Sequence, residues 1–221
     1  MLLAVDTSTA QVGLAVYDGI QVIGEYAWRS SQRHTVELAP AIADLLRRSG
    51  LKMENVQALG VALGPGSFTS LRVGLSLVKG LALARHLPLV GIATLDILAA
   101  NQPASRLPLL SAIQAGRGRL AVGWYKNSKH GWRAKGPARV VSADELMREI
   151  ERPSIVCGEF TAEDRQRLAR DPTVRMVSPA QSVRRPAVLA ELAWARWQHG
   201  DVDDDATLAP IYLHTAEPAA S

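Results

Sequence analysis

Asp6, Thr7, Ser8 and Thr9 stand in a row between two apolar runs, LLAVD (2–6) and QVGLAVY (11–17). A carboxylate, three hydroxyls and the amides of a tight turn are the groups that hold a phosphate or a Mg²⁺-phosphate. Asx and Ser/Thr turns use the same residues with no ligand, so both uses stay open at this point. A second candidate is GPGSFTSLRVGLSLVKGLALAR (64–85), which sets glycines, a proline and hydroxyls before a helix-periodic run. It has no Lys after its second glycine and so lacks the phosphate-loop spacing. Ser67 or Thr69 can cap the helix, and any helix N-terminus attracts anions, so starting a helix is its expected work. His34 has Glu37 one turn on, yet His86, His130, His199 and His214 offer no metal-ligand spacing and Cys157 stands alone. His34 is therefore expected to be a structural or capping residue. No GxSxG elbow or Ser-His-Asp order is present, which removes the usual hydrolase.

The elements that must position these groups alternate between strand and helix. LLAVD is a buried strand, and Asp18-Gly19 predicts a two-residue hairpin turn between 11–17 and 20–28. Leu38, Ile42, Leu45 and Leu46 predict a helix over 35–49, with Pro40 tolerable near its start. A strand near 56–63, a helix at 69–85, a strand at 89–93 and a helix from Thr94 complete the first half. The second half repeats the plan: strand 108–114, a hairpin of 119–126 with 132–141, a helix opened by the capping box Ser142–Glu145, and strand 154–158. A helix in TAEDRQRLAR, a strand in VRMVS and a helix at 186–199 closed by Gly200 follow, and IYL (211–213) is expected to dock locally. The expected fold is α/β with two lobes, 1–103 and 104–221, each a mixed sheet flanked by helices, in the duplicated actin/sugar-kinase/Hsp70 (ASKHA) manner.

Composition narrows the classes. Apolar residues make up 48% of the 221 and charged residues 21%, enough for a sizeable core. One cysteine excludes a disulfide framework and suits a reducing compartment. No apolar run reaches the ~20 residues that span a bilayer, and the N-terminus reads as a strand rather than a leader, so a cytoplasmic protein with no membrane partner is expected. Net charge is +4. Between Asp96 and Asp144 no acidic residue occurs, while Arg106, Arg117, Arg119, Lys126, Lys129, Arg133, Lys135 and Arg139 all do. That stretch is either a solvated hairpin or a surface for a polyanion, with Arg117, Arg119, Lys126, Lys129, Arg133 and Lys135 as the candidate contacts. On the helix at 69–85, Ser70 and Gly74 form one small-residue row and Ser76, Gly80 and Ala84 another. A mid-helix glycine costs about 0.5–1 kcal/mol relative to alanine, which close backbone approach, by the helix's own sheet or by another chain's helix, can repay.

Three stretches in order, LAVDTSTAQVGLAVYDG, HTVELAPAI (34–42) and GPGSFTSLRVGLSLVKGLA (64–82), resemble the bacterial TsaB (YeaZ) family of tRNA threonylcarbamoyladenosine biosynthesis proteins, over most of the chain. The resemblance implies an ASKHA fold without catalysis of its own. It implies pairing with the related TsaD, which carries the metal and transfers threonylcarbamoyl to N6 of adenosine 37 in tRNAs reading codons that begin with A, and with the ATPase TsaE. It further implies an interface made by the first two helices as a four-helix bundle, the same surface also serving self-association. His34, Glu37, Leu38, Ala41, Ile42, Leu45, Ser70, Leu71, Gly74, Leu77, Val78 and Leu81 are the residues expected there. No cofactor of its own is implied: ATP belongs to the partners, and a nucleotide at a subunit boundary is compatible.

The chain departs from the family pattern at several points. Ser70 replaces a usual Gly, Gln114 stands at the acidic position of the second lobe, CGEF (157–160) is a poor adenosine motif, and His214 takes the place of an Arg. Gln114 cannot hold Mg²⁺-phosphate as a carboxylate would. A stand-alone ASKHA kinase or peptidase-like enzyme, and a homodimeric nucleic-acid-binding module, are the alternatives.

Overall fold

A computed structural model describes residues 1–31 and 34–213; His214 lies outside them. It divides into two compact units, one of Met1–Ile97 with Arg184–Ile211 and one built on Leu98–Val183.

In the first unit β1 (Leu2–Asp6), β2 (Gln11–Tyr17), β3 (Val22–Arg29), β4 (Ala58–Gly64) and β5 (Leu89–Ala93) form a sheet of order β3-β2-β1-β4-β5. The β1–β2 and β2–β3 pairs are antiparallel, and β1–β4 and β4–β5 are parallel. β1 is apolar throughout because both of its faces are covered. Leu3 and Val5 meet α1 (His34–Arg48) and α2 (Phe68–Arg85), whereas Leu2 and Ala4 meet α6 (Pro186–Gln198). The α6 side is lined by Ala4, Ala15, Ala58 and Ala62, and a Cβ on Gly60 would lie 2.9 Å from the Cβ of Ala193. Small side chains on both surfaces let this helix sit close to the sheet.

The second unit repeats the strand order. β6 (Leu109–Gly116), β7 (Arg119–Ser128), β8 (Gly131–Ala134), β10 (Ser154–Gly158) and β11 (Val174–Met176) run β11-β10-β6-β7-β8, with β9 (Arg139–Ser142) also paired to β7. α4 (Ala143–Glu149) and α5 (Ala162–Ala169) cover one face around Leu110, Val122, Leu146 and Leu168. α3 (Thr94–Ala100) contains the border between the units. The duplicated ASKHA arrangement expected from element order is thus present in both sheets.

Three expectations need correction. The division at 103/104 is not followed, because α6 belongs to the first unit, where its apolar face finds a sheet surface of matching alanines. The Asp18-Gly19 turn spans four residues: the Asp18 carboxylate accepts from the amides of both Ile20 and Gln21, and β3 starts at Val22. The segment 132–141 is two strands, since Lys135–Ala138, with Gly136-Pro137 at its centre, interrupts the ladder between β8 and β9. Ile211 does dock, donating its amide to Leu63 O at 2.7 Å.

One polar hub fixes α1 to the sheet. Hydrogen bonds from Arg47, Tyr26 and Arg48 hold the Asp44 carboxyl down at about 2. Its folded value lies below the ~3.9 of an unfolded chain, so its stabilisation is present above that pH and is lost as pH falls toward 2. Asp44→Asn is expected to lower the urea midpoint at pH 7, with the gap to wild type closing between pH 4 and pH 2.

Candidate functional site

The Asp6–Thr9 turn joins β1 to β2 and is buried, Asp6 being 1% exposed and Ser8 0%. Each of its side chains is engaged by the chain itself. Asp6 Oδ1 accepts the Ser8 amide at 2.8 Å, and Oδ2 accepts Arg184 Nε at 2.8 Å. Arg184 Nη2 donates to Thr9 Oγ1 at 3.0 Å and to the carbonyl of Gln11 at 2.9 Å. Thr7 Oγ1 donates to Ser70 O at 2.8 Å, and Ser8 Oγ lies 2.7 Å from Thr94 Oγ1. A Mg²⁺-phosphate does not fit this set, because a guanidinium, itself 1% exposed, already neutralises the only carboxylate. Among the described residues no group of three or more His, Cys, Asp or Glu is placed to hold a metal ion. Gln114 is exposed on β6, and Cys157 is an inert buried thiol that burial pushes up to about 11.

Arg184 was not visible as a site residue in the sequence. It precedes Arg185 and Pro186 and reads as part of a basic helix start, and nothing local distinguishes it from Arg185. Arg185 is exposed and pairs with Glu25, while Arg184 is the largest fully buried side chain.

Helices α1 and α2 carry the second candidate. Ser67 caps α2, its hydroxyl accepting from the Ser70 amide at 3.4 Å and from the Ser70 hydroxyl at 3.0 Å. His34 is buried with Nε2 3.3 Å from Thr9 O, a structural position, and Glu37 accepts from Trp28 Nε1 at 3.1 Å. Leu38, Ile42, Leu45, Ser70, Leu71, Gly74 and Val78 are buried by this chain and are not available to a partner. Ala41, Leu77 and Leu81 are half-buried. Apolar periodicity located Leu38, Ile42 and Leu45 among these, and periodicity reports the face turned to a helix's own sheet.

The two small-residue rows of α2 therefore have different uses. Ser70 and Gly74 bring the helix onto the Asp6–Thr9 turn: a Cβ on Gly74 would come within 2.1 Å of Thr7 Oγ1. Ser76, Gly80 and Ala84 are exposed, and a Cβ on Gly80 would meet nothing within 4 Å. With Val73 and Leu77 they make an outward face without charge. On α1, Val36 (64% exposed), Ala39, Pro40 and Ala43 make another.

The candidate polyanion contacts separate along β7. Arg117, Arg119, Lys126, Lys129, Arg133 and Lys135 are all exposed. Arg117 and Arg119 lie at its start, while Lys126, Arg133 and Lys135 gather at its far end.

Two sheets of the same strand order, each with its first strand leading into a hairpin, define the ASKHA class of protein, here in a form whose Asp6–Thr9 turn is closed by an arginine. The YeaZ structure from Pseudomonas aeruginosa has this fold, with a TM-score of 0.79 at 24% identity over 96% of this chain and 99% of that one. The family model described as "TsaD: tRNA N6-adenosine threonylcarbamoyltransferase" matches residues 27–159. TsaB of Bacillus subtilis is 30% identical over 99% of this chain and 96% of its own length, and TsaB of Escherichia coli 29% over 69% and 67%. The chain belongs to the TsaB family, whose curated members are named tRNA threonylcarbamoyladenosine biosynthesis proteins.

Proposed function

We propose that this chain is a non-catalytic subunit that pairs with a TsaD homologue, in the cytoplasm and together with a TsaE-like ATPase, for N6-threonylcarbamoylation of adenosine 37 in tRNAs reading codons that begin with A. The observation that carries this is the pair of uncharged outward faces on α1 and α2, adjoining elements of one unit with small residues at their centres. Helices approach to about 8 Å only where Gly, Ala or Ser occupies the crossing point, and Gly80 with Ala84 and Ala43 supplies that. The occupant proposed is the helix pair of a TsaD homologue. The Asp6–Arg184 pair supports the absence of catalysis, since no carboxylate of the turn is left for a Mg-nucleotide. No helix among the described residues is long and apolar enough to cross a membrane.

Co-purification with a TsaD homologue followed by sizing tests the role. The chain alone is expected to have no transferase activity, and adding TsaD, TsaE and their substrates is expected to give it. Gly80→Leu is expected to leave the melting temperature unchanged or higher and to weaken the complex at least 100-fold. A Gly80→Leu chain that binds like wild type would remove this interface. Sizing of the chain alone reports whether a second copy takes the same faces, and micromolar Mg-ATP binding by the wild-type chain would favour a stand-alone enzyme instead.

A further inference from the structure

The far end of β7 holds a cluster of cations that the fold does not neutralise. Lys126 on β7 stands directly opposite Arg133 on β8, so the two side chains leave the same face of the hairpin. Like charges directly opposed across an antiparallel pair are destabilising. The Lys135 amide, one residue past the end of β8, donates to Trp124 O at 2.7 Å and sets Lys135 beside them. Arg106, just before β6, and Arg152, just after α4, line a cavity of about 430 Å³ together with Lys126 and Lys135, and no acidic residue lines it. Among the described residues no carboxylate forms an ion pair with any of these five cations.

The cavity continues into a larger one of about 620 Å³ that shares Lys135 and Arg152. Trp124, Pro137, Glu149 and Glu151 belong to this second part, where Glu149 is already paired with Arg139. The result is an open groove on the second unit, cationic at one end and carrying an indole and a free carboxylate toward the other. The groove lies at the N-terminal ends of β6 and β10, beside the C-terminus of α4. No helix N-terminus lines it, and its donors are long side chains rather than a nest of amides. Such a set suits phosphates strung along a chain better than one compact polyphosphate.

We propose that Arg106, Lys126, Arg133, Lys135 and Arg152 form a binding site for the phosphate backbone of a structured RNA. The choice of RNA among phosphate polymers rests on the role in tRNA modification proposed above; the phosphate chemistry does not. Arg117 and Arg119, at the opposite end of β7, are outside the site, whereas Arg106 and Arg152 are inside it although they are distant from the hairpin in sequence.

Binding of an unmodified tRNA transcript to the purified chain, followed by fluorescence anisotropy at several salt concentrations, tests this. Four to five neutralised phosphates give a log–log salt slope of about −4, so affinity is expected to fall about 250-fold between 50 and 200 mM salt. The triple variant Lys126→Glu/Lys135→Glu/Arg152→Glu, shown to be folded by circular dichroism, is expected to lose that binding and most of the slope. Arg117→Glu/Arg119→Glu is expected to stay within about threefold of wild type. Equal losses in both variants would mean a diffuse field and no site, and would overturn the proposal. So would displacement of the transcript by ATP or pyrophosphate at constant ionic strength, which would make this a mononucleotide pocket.

The same variants are to be assayed for co-purification with the TsaD homologue. Groove-dependent RNA binding without TsaD binding would support the groove and remove the partner role. TsaD binding without groove-dependent RNA binding would do the reverse.

Discussion

Arg184→Met is expected to lower the stability of the chain by about 3–5 kcal/mol, because removing one partner of a buried ion pair leaves the other charge uncompensated. The geometry puts this case at the strong end. Arg184 and Asp6 have side-chain exposures of 0% and 2%, and the same guanidinium also serves Thr9 Oγ1 and the Gln11 carbonyl. With a total of about 5–15 kcal/mol for a typical domain, such a loss consumes about a fifth or more of what holds the fold. Arg184→Lys is expected to recover only part of it, since a point charge cannot reach the carboxylate and the carbonyl together as the planar fork does. The neighbouring Arg185→Ala removes an exposed pair with Glu25 and is expected to cost no more than about 1 kcal/mol. Urea denaturation of the three variants at pH 7 is the measurement. Equal small losses for Arg184 and Arg185 would show that the turn does not depend on the buried guanidinium.

Alanine at the two glycines of α2 is expected to act with opposite sign. At Gly74 the new methyl would stand 2.1 Å from Thr7 Oγ1 and 3.1 Å from Thr7 Cβ and Cγ2. Thr7 cannot simply swing away, because its hydroxyl is held by Ser70 O. Overpacking of about 1–3 kcal/mol and the loss of a hydrogen bond worth about 0.5–1.5 kcal/mol, less the ~0.5–1 kcal/mol gained by removing a mid-helix glycine, leave a destabilisation of about 1–4 kcal/mol. Gly80→Ala meets nothing and removes the entropic penalty of a mid-helix glycine, so it is expected to stabilise by about 0.5–1 kcal/mol. Thermal melts of the two single variants check both signs. A Gly74→Ala chain as stable as wild type would mean that α2 can lift off the turn, and the small row would then need another explanation.

Much of the architecture was legible because it is written locally. The Ser142–Glu145 capping box forms as its spacing predicts, and Thr161 and Ser67 cap their helices through neighbouring amides. The repetition of strand and helix order foretold two sheets of equal topology. The missing part is long-range. Arg184 lies 178 residues from Asp6, and no local pattern joins them. Helix periodicity found Leu38, Ile42, Leu45 and Leu46 but could not say that their own sheet, and not a partner, covers them. The small rows of α2 were ambiguous for the same reason: a glycine marks close approach without naming what approaches. The cation groove required β7, β8 and the ends of β6 and α4 to meet, so Arg152 carried no signal in the sequence.

The return of α6 to the first sheet has a consequence for the order of events at the ribosome. When Ile97 emerges, Leu2, Ala4 and Ala15 have no cover and Asp6 has no counter-charge, and both arrive only about a hundred residues later. At usual translation speeds that delay is about 5–20 s. The earliest-made half of this protein is thus the last to be finished, and a nascent chain halted before Arg184 carries an unsealed apolar layer for which a chaperone is the natural temporary lid.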